Sequence, residues 1–356
     1  MSQLLTNMIE MIKPLDEEAM AQARARQEQL TKPQGSLGRL EELSIQLAGI
    51  QGKPGPQIKH KAIITMASDH GVVAQGVTLY PQEVTAQMVR NFLRGGAGIN
   101  VIARQIGARV IVVDMGVAAE LEPDARLLSR KVAPGTQDMA LGPAMTSEQA
   151  LKAIETGIEI VAAEVAKGLD IVATGDMGIG NTTASSAICA VMTGNSVVKV
   201  TGRGTGIGDK QLKHKIEVID NALALNRPDP KEPLAVLAKV GGFEIGGLAG
   251  VMLAAAAYRI PVVIDGFISG AAALIATALS PRLKAFLIAG HVSAEPGHRL
   301  LLGYLGLKPL LDLGMRLGEG TGAALGIFLA ETAARLLSEM STFAEAGVSE
   351  ADKASH

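Results

Sequence analysis

The chain has no tryptophan, and only 3 tyrosines and 6 phenylalanines among 356 residues. Without aromatic faces on which successive bases can stack, it is poorly equipped for single-stranded nucleic acid. An excess of either charge is missing too: Lys+Arg number 33 against Asp+Glu 35, a formal net charge of -2. No basic field is therefore available to hold a polyanion or an anionic membrane. A single cysteine, Cys189, excludes an internal disulfide framework and any zinc cage built on cysteines, and it fits a reducing compartment. It reads as a small buried hydrophobe. The most apolar runs, residues 246–258 and 266–279, stop short of the ~18 residues that cross a bilayer, and small side chains dominate them. They read as close-packed buried helices. The first ten residues lack the basic stretch and apolar core of a signal peptide. These absences describe a soluble, cytoplasmic protein with no nucleic-acid partner and no membrane.

What is present is an alternation. Residues 4–30 have helical spacing broken at Pro14, and residues 52–57 form a Pro/Gly hinge that marks a boundary. Beyond it come short β-branched runs at 61–67, 110–114, 170–174, 197–200, 261–265 and 285–289, separated by helical stretches. Runs apolar on both faces and alternating with helices predict an α/β fold, a doubly wound and mainly parallel six-stranded sheet. From about Pro296 the pattern is helical again, and residues 338–356 form a polar, Ala/Glu/Ser-rich tail. The division that follows is a large domain over 58–295 and a smaller helical domain made from both chain ends, 1–57 and 296–356.

In an open α/β sheet ligands bind outside the carboxyl ends of the strands. The residues at those predicted exits are polar and glycine-rich: Ser68-Asp69-His70-Gly71, Asp114-Met115-Gly116, Gly175-Asp176-Met177-Gly178, Thr201-Gly202-Arg203-Gly204, Asp265-Gly266-Phe267 and Gly290-His291-Val292-Ser293. The third exit continues through Gly180 to Asn181, Thr182 and Thr183 at a helix start, where free N–H groups and the helix dipole suit a phosphate. The fourth adds a second glycine loop followed by Lys210, Lys213 and Lys215. The two together describe a cradle for a phosphate or a nucleoside monophosphate. A lone carboxylate, Glu319, stands in the run Gly318-Glu319-Gly320-Thr321-Gly322 beside Met315 and Leu317. If it loses water there it gains basicity, as a general base needs; otherwise it is a solvated or helix-capping residue.

Several motifs are missing. Neither loop matches Gly-x4-Gly-Lys-Ser/Thr or Gly-x-Gly-x-x-Gly, which argues against an ATPase or a dehydrogenase. No Gly-x-Ser-x-Gly elbow follows a strand. Paired acids before a Thr-Gly loop, the mark of enzymes that use phosphoribosyl pyrophosphate, are absent as well. The main rival is a divalent metal held by Asp69, His70, Asp265 and His291, as in a phosphohydrolase, although no short His-x-His or Asp-x-Asp pair pre-forms such a site. A sensor that binds a nucleotide without consuming it is the other alternative.

One set of motifs runs in order from about residue 30 to residue 325. It comprises Lys32-Pro33-Gln34-Gly35-Ser36-Leu37-Gly38-Arg39-Leu40, Asp69-His70-Gly71, Tyr80-Pro81-Gln82-Glu83-Val84-Thr85, Arg94-Gly95-Gly96-Ala97-Gly98-Ile99-Asn100, Gly142-Pro143-Ala144-Met145, Gly178-Ile179-Gly180-Asn181-Thr182-Thr183, Lys239-Val240-Gly241-Gly242-Phe243-Glu244, Ile264-Asp265-Gly266-Phe267 and Met315-Arg316-Leu317-Gly318-Glu319-Gly320-Thr321-Gly322. It resembles the nicotinate-nucleotide:dimethylbenzimidazole phosphoribosyltransferase family. The resemblance implies transfer of ribose 5-phosphate from nicotinate mononucleotide to 5,6-dimethylbenzimidazole, a step toward the lower ligand of cobalamin. It also implies a Rossmann-like large domain, a small domain from both chain ends, a homodimer with a shared site, and no cofactor or metal. By the same resemblance Glu319 is the general base, and inversion occurs at C1'. Lys215 and the loops at Gly178 and Gly202 to Gly204 hold the phosphate, with Asn181, Thr182, Ser293 and Gly318 among the substrate-binding residues. Tyr80, Gln87, Met88 and Leu317 border the acceptor base. The chain departs from the family pattern at Asp176, where a glutamate is common; a role for it beside Glu319 would have to be met with one methylene less.

Overall fold

The computed structural model describes residues 1–349. The chain enters through α1 (Gln3–Met11), α2 (Glu17–Gln29) and α3 (Arg39–Gln51), then forms β1 (Lys61–Ser68), α4 (Glu83–Arg94), α5 (Gly98–Ile106), β2 (Arg109–Gly116) and β3 (Leu127–Ser129). There follow α6 (Ser147–Val165), β4 (Ile171–Met177), α7 (Asn181–Thr193), α8 (Val197–Val200), α9 (Asp209–Asn226), α10 (Pro233–Val240) and α11 (Phe243–Ala257). The last elements are β5 (Val262–Ile264), α12 (Phe267–Leu279), β6 (Leu287–Ala289), α13 (Pro296–Leu305), α14 (Thr321–Glu339) and α15 (Phe343–Ala346).

The six strands pair in the order β3-β2-β1-β4-β5-β6, each neighbouring pair parallel. This is the order of doubly wound dinucleotide-binding folds, with its reversal of direction between β1 and β4. The period of two decides which helices each strand meets. Ala62, Ile64 and Met66 of β1 join the core that contains α6, α7, α11 and α12, whereas Ile63 and Ala67 join the one with α3, α4, α5 and α14.

Two expectations are corrected. Residues 197–200 are not a strand but the one-turn helix α8; Val197 and Val200 are buried three apart while Val198 between them is 66 % exposed. A buried pair at that spacing is the signature of a helix, and a run of four is too short to show it in sequence. The sixth strand is instead β3, three residues at the sheet edge and none of them buried. The polar tail begins later than residue 338, because Ser338 and Glu339 close α14 and Phe343–Ala346 form α15. Its remainder, 350–356, lies outside the described residues.

Every residue of α11 is buried. Its glycines explain how a helix can sit there: a Cβ at Gly250 would meet the Ile154 carbonyl carbon of α6 at 2.8 Å, and one at Gly157 would meet the Val251 nitrogen at 2.8 Å. The two helices therefore touch backbone to backbone. At the opposite face α14 packs on α3, α5 and β4, and Leu30 and Thr342 form an isolated bridge between the chain ends.

Candidate active site

The carboxyl ends of β1 and β4 flank the sheet's reversal, and a cavity of about 350 Å³ opens beside it, over the ends of β4, β5 and β6. Its first wall is the loop from β4 into α7. Gly180 caps that helix in the left-handed region, φ 94°, and the Ile179 N–H donates to Thr85 Oγ1 at 3.1 Å. A Cβ on Gly178 would overlap the Ser68 carbonyl oxygen at 2.5 Å, so the loop lies directly on the end of β1. Gly178, Asn181 and Thr182 all line the cavity.

The second wall comes from α9 and the loop before it. Lys215 is almost fully buried, and its Nζ donates to Thr182 Oγ1 at 2.8 Å. Burial pushes this ammonium down to about 8, and the nearby Glu295 carboxylate opposes the fall. Gly204 has φ 51°, and a Cβ there would sit 2.9 Å from Thr182 Oγ1. The third wall is Ser293, Arg316, Leu317 and Gly318, with the Arg316 guanidinium donating to the Gly204 carbonyl at 2.9 Å.

Behind these walls is a group of buried acids. Asp176 is buried and lines the cavity; Oδ2 accepts from Asn181 Nδ2 at 3.0 Å, while Oδ1 has no partner. Burial, then the charges of Asp265 and Glu244, push its carboxyl well above the ordinary aspartate range. Glu319 is 4 % exposed and stands in the left-handed region at φ 62°, a conformation that costs a non-glycine residue about 1–2 kcal/mol. Its backbone is held on both sides: its N–H donates to the Asp176 carbonyl at 3.2 Å, and its carbonyl accepts from Thr65 Oγ1 at 3.0 Å. Its Oε2 accepts from the Ile99 N–H at 3.0 Å, at the start of α5. Burial raises its carboxyl, the Asp265 charge adds to this, and the Ile99 and Gly98 amides oppose it.

Of the residues singled out in sequence, Tyr80, Asp176, Gly178, Asn181, Thr182, Gly204, Lys215, Ser293, Leu317 and Gly318 meet around this one cavity. Four do not line it. Glu319 lies behind Gly318 and Asp176; Gly202 backs onto Glu295; and Gln87 and Met88 lie on α4, exposed and half-buried respectively. One charged residue on the walls carried no sequence signal: Glu295 reads only as the residue before a proline that starts a helix, whereas Arg316 stands in a motif that carries the resemblance but was given no role.

Three of the four residues of the metal alternative are used otherwise, while the fourth, His291, lines the cavity with Nε2 3.6 Å from Asp265 Oδ1 and Nδ1 without a partner. His70 Nε2 pairs with Glu244 Oε1 at 2.7 Å, Asp69 Oδ2 accepts from the Ala118 N–H at 2.8 Å, and Asp265 accepts from the Ala323 and Gly320 N–H groups at 2.9 and 3.2 Å. Burial alone would lower His70, but the Glu244 carboxylate outweighs it and raises the imidazole. Among the described residues no three His, Cys, Asp or Glu side chains gather as a metal would require, and no helix is long and apolar enough to cross a membrane.

Known proteins resemble this chain over nearly its whole length. A family model described as phosphoribosyltransferase, DBI_PRT, matches residues 12–348. The nicotinate-nucleotide–dimethylbenzimidazole phosphoribosyltransferase of Desulforudis audaxviator is 60 % identical over 348 residues, 98 % of this chain and 99 % of the relative. The protein of the same name from Roseiflexus sp. is 61 % identical over 346 residues, covering 97 % and 98 %. The crystal structure of CobT from Thermus thermophilus superposes with a TM-score of 0.90 at 50 % identity, over 94 % of this chain and 100 % of that one. A chain that matches this model and these relatives over nearly its whole length belongs to the DBI_PRT phosphoribosyltransferase family.

Proposed function

We propose that this enzyme moves ribose 5-phosphate from nicotinate mononucleotide to 5,6-dimethylbenzimidazole, with Glu319 as general base. The observation that supports this most directly is the joining, in one cavity, of a buried ammonium at a helix start with Asp176, behind which Glu319 is held as a desolvated carboxylate. The phosphate sits on the start of α7, Thr182, Lys215 and the Gly204 loop. The ribose then lies toward Asp176 and Gly318.

The chemistry asks little of the protein. In nicotinate mononucleotide the glycosidic nitrogen is a pyridinium, so when the C1'–N bond breaks the ring leaves with the electron pair and becomes neutral. Neither a general acid nor a metal is required. The acceptor nitrogen of the benzimidazole attacks C1' from the opposite side, which inverts that carbon, and the proton on its other nitrogen must go somewhere. Glu319, made more basic by burial, takes it. Asp176 orients the site through Asn181 and bounds the space between sugar and base.

Tyr80, 51 % exposed, and Leu317, 60 % exposed, stand at the mouth of the cavity, with Leu79 exposed beside them. Apolar groups left open at a binding site support a homodimer in which a second copy completes the acceptor pocket, with Gln87 and Met88 on that side. The chain-end segments 1–57 and 296–356 are proposed as the smaller unit, and the single cysteine supports a cytoplasmic setting.

The test is chromatographic. Purified enzyme given both substrates should release nicotinate and a riboside phosphate in equal amounts, and it should do so in the presence of a chelator. Glu319→Gln should lose about 10²–10⁴-fold in kcat while still binding nicotinate mononucleotide. Full turnover in that variant removes Glu319 as the base.

A further inference from the structure

Glu295 is an unexpected residue to find in a site for an anion. It precedes Pro296, is 6 % exposed, and lines the cavity with Lys215 and Gly204. Its Oε1 accepts from the Gly204 N–H at 2.9 Å, and its Oε2, also buried, has no hydrogen-bond partner. The side chain lies flat across Gly202, where a Cβ would be 2.8 Å from the Glu295 carboxyl carbon and 2.7 Å from Pro296 Cδ. Lys215 stands near but forms no ion pair with it; the ammonium is hydrogen-bonded to Thr182 instead. The cavity thus keeps a buried cation and a buried anion apart, and the anion occupies one of the amides that a phosphate would use.

A carboxylate that is buried with one oxygen bare is costly. Fastening the Gly204 loop does not need that charge, since a glutamine oxygen would accept the same N–H. We propose that Glu295 is an internal stand-in for the phosphate of the substrate, a positioning residue that holds the Gly204 amide in the empty site and yields it when the phosphate arrives. The reading rests on the phosphate subsite proposed above. The carboxylate keeps the loop and Lys215 arranged for an anion before one binds, and its repulsion of the incoming dianion lowers the affinity so that product can leave. Burial pulls the Lys215 ammonium down and Glu295 counters this, so the empty site stays ready with its cation charged.

Glu295→Gln keeps the hydrogen bond and removes the charge. Titration calorimetry with nicotinate mononucleotide, and separately with inorganic phosphate, is run at pH 7, below the value of about 8 at which Lys215 titrates and above the second ionisation of the nucleotide phosphate at about 6. Kd for both should fall by about fivefold or more, the size of losing one repulsive unit charge a few ångströms away, and KM for the nucleotide should fall with it. Affinity that stays equal or weakens overturns the proposal and leaves Glu295 as a loop fastener. If Lys215→Ala binds both ligands as well as the unsubstituted protein, the phosphate subsite itself is wrong and this inference goes with it. Should the glutamine variant not fold, the unsubstituted enzyme crystallised with nicotinate mononucleotide decides. The Gly204 N–H on a phosphate oxygen, with the Glu295 carboxylate moved away, supports the stand-in; Glu295 still on Gly204 beside a bound phosphate overturns it.

Discussion

At the scale of the residue, the buried acids behind the cavity work through their protonation. Glu319 acts as a base only when ionised, and burial and the Asp265 charge raise its carboxyl above the ordinary value of 4.5. The acid limb of kcat/KM should therefore have its midpoint above that value and should be missing from the residual rate of Glu319→Gln. Asp176 allows a second prediction, one of stability. Its carboxyl is held well above 3.8 by burial and by neighbouring acids, so between 3.8 and its native value the folded protein binds the proton that the unfolded chain has released. Stability from this group is full at low pH and is lost as pH rises through the native value. Asp176→Asn carries no such titration and keeps an oxygen for Asn181. Denaturant unfolding of the two proteins from pH 4 to pH 8 should show the variant gaining on the parent as pH rises, and a constant difference would mean Asp176 is ionised throughout. The Asp176 shift was not legible in the sequence, whereas the rise at Glu319 was legible as one of two readings, the desolvated one. That a carboxylate stood between two glycines was readable; that its chain turns inward to the Ile99 amide, 220 residues away, depends on how α5 and β4 are brought together.

At the scale of the element, the sequence disclosed the periods and missed the short pieces. Long runs such as 61–67 carry enough residues to show burial on both faces, and β1 forms there. Three of the four residues at 197–200 are β-branched, but four are too few to separate a period of two from one of three, and packing among α7, α9 and α13 makes them a helical turn. β3 could not be read at all, since an edge strand of three half-exposed or exposed residues has no pattern. The polar, glycine-rich exits were legible because they break the apolar, β-branched runs, although Gly116, Gly175 and Asp176 lie inside β2 and β4 rather than beyond them. Their convergence was not, and it depends on close approach. Gly175 in β4 is the clearest case, because a Cβ there would be 2.6 Å from the Glu319 carbonyl carbon and 2.8 Å from the Gly320 nitrogen, both backbone. Gly175→Ala should push the Glu319 turn off β4. It should cost about 1–3 kcal/mol in denaturant unfolding and, by misplacing the base by about 1 Å, about a hundredfold in kcat. A stability loss with kcat unchanged would separate the turn from the chemistry.

At the scale of the molecule, the question is whether the chain ends are an appendage or part of what holds the site. The Pro/Gly stretch at 52–57 marks a boundary in sequence, yet side chains from both sides of it share one core. Leu43 and Leu47 of α3, fully buried, belong to the same cluster as Ile63 of β1, Ile171 of β4 and Ala324 and Ile327 of α14. The turn that carries Glu319 leads straight into α14, so the N-terminal helices hold the base in place from behind by packing on the helix that follows it. Leu47→Ala removes three carbons from that contact and should cost about 2–5 kcal/mol, although Leu47 lies on none of the walls of the cavity. Because the packing is shared, loss of activity and loss of far-ultraviolet helical signal should follow one denaturant curve, in the parent and in Leu47→Ala alike, with the variant's midpoint moved to lower concentration. If activity in the variant disappeared well before the helical signal, the chain ends would be melting as a unit of their own. The site would then depend on their docking rather than on a core common to the whole chain.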